Sequence, residues 1–248
     1  MKVLGFNGSP RAKKGITDRI LQQFLKGAAE AGAETETVYL AKKKIKFCTG
    51  CFSCWLVHPG RCIHKNDDMD ELRQMMRRSD MLVYASPVYI DGITAIMKNF
   101  MERCMPNAQP FVEIRDGHTR HPLRGKGTRQ LKMVVLSTCG FGERDNFDPL
   151  LRHMEAAAKN MKVDYLGALI RPMGPFLDVV AQKDPEKVRS IDDAFHQAGF
   201  DAVAKGEIGD AVRKAAEAPL MSRDEFIVTL NSIAQSEIEK YSAKKPDR

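Results

Sequence analysis

Three short runs, Lys2–Asn7, Met81–Ala85 and Lys132–Ser137, set the terms on which this chain can fold. Met81-Leu-Val-Tyr-Ala85 is apolar without alternation, so both faces of its strand must be covered, as in a parallel sheet flanked by helices. Each run breaks off into turn-forming or polar residues: Gly8-Ser9-Pro10-Arg11, Ser86-Pro87-Val88-Tyr89 and Thr138-Cys139-Gly140-Phe141-Gly142. Glu34–Leu40 alternates and is β-branched, which predicts an edge strand. Val163–Ile170, closed by Arg171-Pro172, predicts a fifth.

Between the strands the apolar spacing turns helical. Ile20, Leu21, Phe24, Leu25 and Ala28 share one face of a helix predicted over Thr17–Ala31, with Thr17 as N-cap and Gly32 as stop. Further helices are predicted from Asp67-Asp68 to Ser79, with the two acids read as a helix start, and over Thr94–Cys104, Pro149–Asn160 and Pro185–Lys205. Ser222 and Glu225 make a capping box for a last helix, to Tyr241, outside the sheet. The connection 106–130 is long enough to be functional or mobile. His118 and His121 within it read as surface residues, and Ala243–Arg248 as a frayed tail. The pattern predicts an α/β fold, a doubly wound five-stranded parallel sheet with extra C-terminal helices. In such sheets ligands sit off the carboxyl ends of the strands, here loops 8–17, 86–89 and 138–142.

Four of the six cysteines, Cys48, Cys51, Cys54 and Cys62, fall within fifteen residues. Three recur at every third position, and the fourth returns after Pro59-Gly60. Four convergent thiolates are what a [4Fe–4S] cluster requires. Zinc sites more often split their ligands into two separated pairs, and disulfides need an oxidising compartment. A set of reduced, empty thiols stays open. Trp55 follows Cys54 and reads as packing, with cofactor shielding as its other role; Cys104 and Cys139 read as small apolar residues.

The net charge of +7 resides in residues 1–62, which hold 11 Lys or Arg against 4 Asp or Glu; the rest of the chain holds 28 of each. Lys42, Lys43, Lys44 and Lys46 lead into the cysteines. This is either a solvated face or a field that favours anionic groups. A nucleic-acid partner would need a binding fold or exposed aromatics as well, and neither is visible. No apolar run approaches the ~20 residues of a membrane span. The first residues turn polar too soon for a signal peptide, so the expectation is a cytoplasmic, reducing setting.

The glycine patterns of dinucleotide and P-loop sites are absent, since Gly125-Lys126-Gly127-Thr128 precedes a strand and lacks the upstream glycine. The first loop offers Ser9, Arg11, Thr17 and backbone N–H groups, a set that suits a terminal phosphate and equally an ordinary βα turn.

Gly8-Ser9-Pro10-Arg11 with Thr17, the cysteine run, Asp67-Asp68-Met69, Ser86-Pro87-Val88-Tyr89 and Lys98-x-Phe100-x-x-Arg103 together resemble the flavodoxin-like NADPH-dependent FMN reductases. The compact cysteine run resembles that of iron–sulfur flavoproteins. The similarity covers about residues 1–200. It implies strand order 2-1-3-4-5, an FMN-binding domain over 1–205 carrying the cysteine loop 47–62, and a helical extension over 206–248. The resemblance implies that Ser9, Pro10, Arg11 and Thr17 bind the FMN phosphate, while Ser86, Pro87, Val88, Tyr89, Thr138, Cys139 and Gly140 frame its ring. It further implies that Cys48, Cys51, Cys54 and Cys62 hold a [4Fe–4S] cluster. Implied too are NAD(P)H as a possible donor, small-molecule or ferredoxin-type redox partners, and a homodimer or homotetramer. Ile16 stands where the family often has Asn, which removes one polar phosphate contact. Two other readings remain: a cluster-free NAD(P)H-dependent FMN or quinone reductase, and a redox sensor whose thiols switch by oxidation.

Overall fold

The computed structural model describes residues 1–125 and 130–242. Lys126–Arg129 and the tail Ala243–Arg248 lie outside the described residues. One unit runs from Met1 to Ala218 and a second from Pro219 to Arg248.

In the first unit, β1 (Lys2–Asn7), β2 (Glu34–Tyr39), β3 (Met81–Pro87), β6 (Lys132–Thr138) and β7 (Asp164–Arg171) form one sheet, order β2-β1-β3-β6-β7, all parallel. Counted over the sheet's own strands this is the expected 2-1-3-4-5, with β2 on an edge. Between β3 and β6 lies an antiparallel hairpin, β4 (Glu113–Arg115) and β5 (His118–Arg120). The expected irregular connection is therefore partly a hairpin. Its turn is Asp116-Gly117, both at positive φ, the residue pair that a tight type I′ hairpin prefers.

The helices are α1 (Ile16–Glu30), α2 (Ser53–Leu56), α3 (Met69–Arg78), α4 (Ala95–Glu102), α5 (Asp148–Met161), α6 (Leu177–Ala181), α7 (Pro185–Ala204) and α8 (Asp210–Ala216). β1, β3 and β6 are buried almost throughout, as their apolar runs demand. On one side of the sheet Leu4, Phe6, Leu82, Tyr84, Met133 and Val135 join Leu72, Met97, Phe100 and Met154 in a single core.

α1 and α7 approach each other very closely. A Cβ at Gly27 would stand 1.8 Å from the His196 carbonyl oxygen, and one at Gly199 would stand 1.8 Å from that of Phe24. The edge strand β7 is not left bare. The guanidinium of Arg213, from α8, donates to the carbonyls of Ala168 and Leu166, both at 2.6 Å, blunting an edge that would otherwise template pairing.

The second unit is built on α9 (Arg223–Ser242). Its capping box is present: the Ser222 N–H and hydroxyl donate to Glu225 at 2.8 and 2.7 Å, and the Glu225 N–H donates back at 3.3 Å. Among the described residues no helix is long and apolar enough to cross a membrane.

Candidate functional site

The loops after β1, β3, β6 and β7 are laced together at the carboxyl edge of the sheet. The Gly8 N–H donates to Ala85 O, and the Thr94 hydroxyl donates to Gly8 O at 2.7 Å. The Val88 N–H donates to Thr138 O, the Cys139 N–H to Arg171 O, and the Gly174 N–H to Cys139 O. The Ser86 Oγ accepts from the Thr94 N–H, and the Ser137 hydroxyl donates to Ser86 O.

These bonds divide the expected residues into a floor and a rim. Ser9, Thr17, Ser86, Thr138 and Cys139 are buried, while Pro10, Arg11, Tyr89 and Gly140 are exposed; Pro87 and Val88 are half-buried. Thr17 does not cap α1. The helix begins at Ile16 behind an extended Gly15 without a side-chain cap, and the Thr17 hydroxyl instead pairs with that of Thr138 at 3.1 Å. Gly15 is fixed by space, because a Cβ there would stand 2.9 Å from Ser9 Oγ. The helix N-terminus thus faces the loop with backbone N–H groups that no side chain covers, which favours an anion. Arg11 makes no ion pair among the described residues.

Asn7 shapes this loop, although its sequence context gave no signal. Its side-chain oxygen accepts from the Ser9 N–H at 2.8 Å, and its amide donates to Asp18 at 3.0 Å. Burial, with a hydrogen bond to Asp18, pushes the Tyr39 phenol up to about 12. At the rim, Ile90 and Asp91 both hold positive φ in the turn between Tyr89 and Gly92, and Ile90 is 98% exposed. A β-branched residue in that conformation is strained, which argues that the turn's shape is fixed by what surrounds it. Burial raises the Cys139 thiol pKa, with Asp91 and Glu143 adding to the effect.

The cysteine segment hangs from the end of β2 as a loop tied at its base. The Lys44 N–H donates to the Asp68 carboxylate at 2.7 Å, and the Asp68 N–H donates back to Lys44 O. The Asn99 amide donates to Ile45 O. The loop bends at Gly50 and Phe52, both at positive φ. Cys48, Cys51, Cys54 and Cys62 all line one cavity with His64 and Arg103; Cys48 and Cys51 form its exposed side. Burial raises the Cys54 pKa, and the other three cysteines reinforce the shift; backbone N–H bonds, that of Ser53 first, lower Cys51.

Among the described residues no three His, Cys, Asp or Glu are drawn together tightly enough to hold a metal ion. A single zinc would pull four sulfurs to within about 4 Å of one another, whereas in a cubane cluster each thiolate meets its own iron and the ring is wider. What the structure offers such a group is its donor set, four cysteines lining one cavity with the buried Arg103. Trp55 packs against the His121 ring at 4.6 Å and donates to Met105 O at 3.0 Å. His121 is therefore tied to the cysteine loop.

Under this loop lie arginines that spacing alone did not single out. Arg103 and Asp67, with side chains 1% and 3% exposed, pair at 2.6 Å. Asp67 is thus more than the expected helix start, although it also accepts from the Met69 N–H. Burial pushes its pKa up, but the Arg103 hydrogen bond and the Lys46 and Met69 N–H groups bring it below the ordinary value. Arg73 is buried, paired with Asp70, and donates to Gly60 O at 3.4 Å. The stem of Arg124 passes close to Gly60. The Nε atoms of Arg73, Arg103 and Arg124 and Nη2 of Arg124 are buried without a hydrogen-bond partner among the described residues. Buried donors left open in this way suit an anionic group.

An iron-sulfur flavoprotein of Archaeoglobus fulgidus is 43% identical over 106 residues, 43% of this chain and 46% of that protein. One of Methanocaldococcus jannaschii is 40% identical over 106 residues, 43% of this chain and 53% of that protein. The matches therefore span about half the length of these relatives. Among solved structures, a putative quinone reductase from Klebsiella pneumoniae superposes with a TM-score of 0.63 at 15% identity, covering 84% of this chain and 86% of that one. An FMN-dependent NADH-azoreductase from Bacillus anthracis, in complex with FMN, gives 0.55 at 17% identity, covering 83% and 96%; both likenesses bear on the fold alone. The model of the NADPH-dependent FMN reductases matches residues 1–142, more than half of the chain, and the protein belongs to that family.

Proposed function

We propose that this protein is an FMN-dependent oxidoreductase that passes electrons between flavin and a [4Fe–4S] cluster held by Cys48, Cys51, Cys54 and Cys62. The observation that carries the cluster is the convergence of all four thiols on one cavity with a buried guanidinium in its wall. Ser9, Arg11, Thr17 and the N-terminus of α1 would hold the flavin phosphate. The hydroxyls of Ser9 and Thr17 lie buried against the loop, while Arg11 and the helix N–H groups supply the positive field. Pro87, Val88, Tyr89, Thr138, Cys139 and Gly140 would frame the ring, the buried members forming its floor and Tyr89 and Gly140 its rim.

FMN, when bound, couples two-electron donors to one-electron acceptors. The chain's own contribution is placement, exclusion of water and electrostatics; no protein nucleophile takes part. NAD(P)H or a ferredoxin-type protein would be the donor, and the working form a homodimer or homotetramer.

The test is iron and acid-labile sulfide per chain on protein purified without oxygen, with the visible spectrum. About four of each, and a dithionite-bleachable shoulder beneath the flavin bands, is the expected result. Flavin with neither iron nor sulfide after reconstitution would make the protein a cluster-free FMN or quinone reductase.

A further inference from the structure

Arg103 is the most completely buried cation near the cysteines, and its contacts are unusual for a structural arginine. Nη1 donates to Asp67 and to Lys46 O, each at 2.6 Å, and Nη2 donates to Cys62 Sγ at 3.5 Å. Nε is buried with no partner among the described residues, and the side chain forms part of the cavity wall. One end of the guanidinium is therefore neutralised and held by Asp67, while another meets a candidate ligand sulfur. Asp67 is pinned in turn by the Lys46 and Met69 N–H groups. The fork geometry fixes the direction in which the remaining N–H groups point.

We propose that Arg103, oriented by Asp67, is a positioning residue of the cysteine site that raises the reduction potential of the cluster by donating to the Cys62 sulfur. The inference rests on the cluster reading above. A cluster held by four thiolates becomes more negative when it takes up an electron. A fixed donor and a buried positive charge beside one ligand sulfur therefore stabilise the reduced form more than the oxidised one. Burial matters to the size of the effect, since solvent screens a charge at this position far less than one on the surface. The lysines that approach the cysteines in sequence have other engagements. Lys43 pairs with Glu71, and Lys46 Nζ donates to Lys65 O. Arg73 donates to Gly60 O and the stem of Arg124 lies near Gly60; neither makes a hydrogen bond to a cysteine sulfur among the described residues.

The experiment compares the full-length wild type with Arg103→Lys and with the double variant Arg103→Met/Asp67→Leu, which removes both charges and leaves neither partner buried alone. Each protein is reconstituted anaerobically with iron and sulfide. Iron and FMN content are measured, and the cluster is titrated potentiometrically with EPR detection. The expected result is full FMN content and a cluster in the double variant whose reduction equilibrium is at least tenfold less favourable, about 59 mV more negative for one electron. Arg103→Lys should fall between the two. Loss of iron with FMN retained in the double variant, with Arg103→Lys holding its cluster at the wild-type potential, would give the pair a role in assembling the loop only and overturn the inference.

An unchanged potential in a loaded double variant would overturn the inference and leave the cluster reading intact. A wild type that takes up no iron or sulfide would overturn both. Joint loss of FMN and iron in the double variant, with Arg103→Lys behaving as wild type, would give the pair a folding role and overturn the inference.

Discussion

Replacing Gly27 with alanine should destabilise the protein, although helix propensity argues the other way. Gly27 lies within α1, where alanine is intrinsically better by about 1 kcal/mol. The structure opposes that gain. The added Cβ would stand 1.8 Å from the His196 carbonyl oxygen, whereas ordinary contact begins at 3.4 Å, so α1 and α7 must part by about 1.6 Å there. The obstacle is backbone on a 20-residue helix, not the end of a flexible side chain. Ile20, Phe24, Ala28, Phe195 and Ala198 are buried on these two helices and would lose close packing as the axes separate. Overpacking that shifts backbone costs about 1–3 kcal/mol, and a contact this short belongs at the upper end. Subtracting the propensity gain leaves a net loss of about 2 kcal/mol. For a chain of this size that lowers Tm by about 4–8 °C. Gly199→Ala should do the same through the Phe24 carbonyl, and the double variant should lose less than the sum, because one separation relieves both clashes. Thermal melts of the three variants decide the matter. A Gly27→Ala protein that melts at or above the wild-type temperature would refute the close-approach argument.

Ile90→Gly should stabilise by about 1 kcal/mol in a chemical-denaturation series, because it relieves a β-branched residue at φ +47 whose exposed side chain holds little packing to lose. Asp67→Asn should flatten the acid limb of stability against pH. The folded pKa lies below the ordinary 3.8, so the pair's contribution is full above about pH 4 and disappears as pH falls through the folded value. Ser222→Ala should cost α9 about 1 kcal/mol, read as faster hydrogen exchange in its first turns. Cys51→Ala should abolish cluster absorbance and leave FMN bound; loss of FMN as well would make the loop a structural element.

How legible a feature was depended on how local its cause is. The five sheet strands and most helices are written in their own apolar periodicity, and their boundaries fall within a few residues of expectation. The capping box at Ser222 is equally local. The hairpin Glu113–Arg120 leaves almost no periodic signal because its strands are three residues each and hold a single apolar residue, Ile114, although Asp116-Gly117 names the turn. Thr17 shows the opposite failure. A threonine ahead of an apolar helix reads as a cap, but its hydroxyl faces Thr138, 121 residues away, and Gly15 takes the capping position because Ser9 leaves no room for a Cβ. Asp67 likewise belongs to Arg103, 36 residues on. Long-range partners of this kind leave no periodic trace in the chain.

The charge distribution carries the same lesson further. In the sequence the positive excess lies on the N-terminal loop and on the approach to the cysteines, where Lys42, Lys43, Lys44 and Lys46 cluster. In the fold those side chains lie in or near solvent; Lys42 and Lys13 each stand 5.6 Å over the Tyr39 ring. Surface charges of this kind are screened beyond a Debye length of about 8 Å. The cations that touch the cysteine loop, Arg73, Arg103 and Arg124, come instead from the part of the chain whose charges sum to zero. Two of them are balanced by nearby acids, Asp70 and Asp67, so they are invisible to any count. Their field survives because it is buried and aimed: each acid holds one end of a guanidinium, and other N–H groups turn toward the Gly60 carbonyl and the Cys62 sulfur. At the cysteine loop the residue count and the fold therefore point to different cations. What can stabilise an anionic cofactor here is the orientation of neutral pairs, and orientation belongs to the fold.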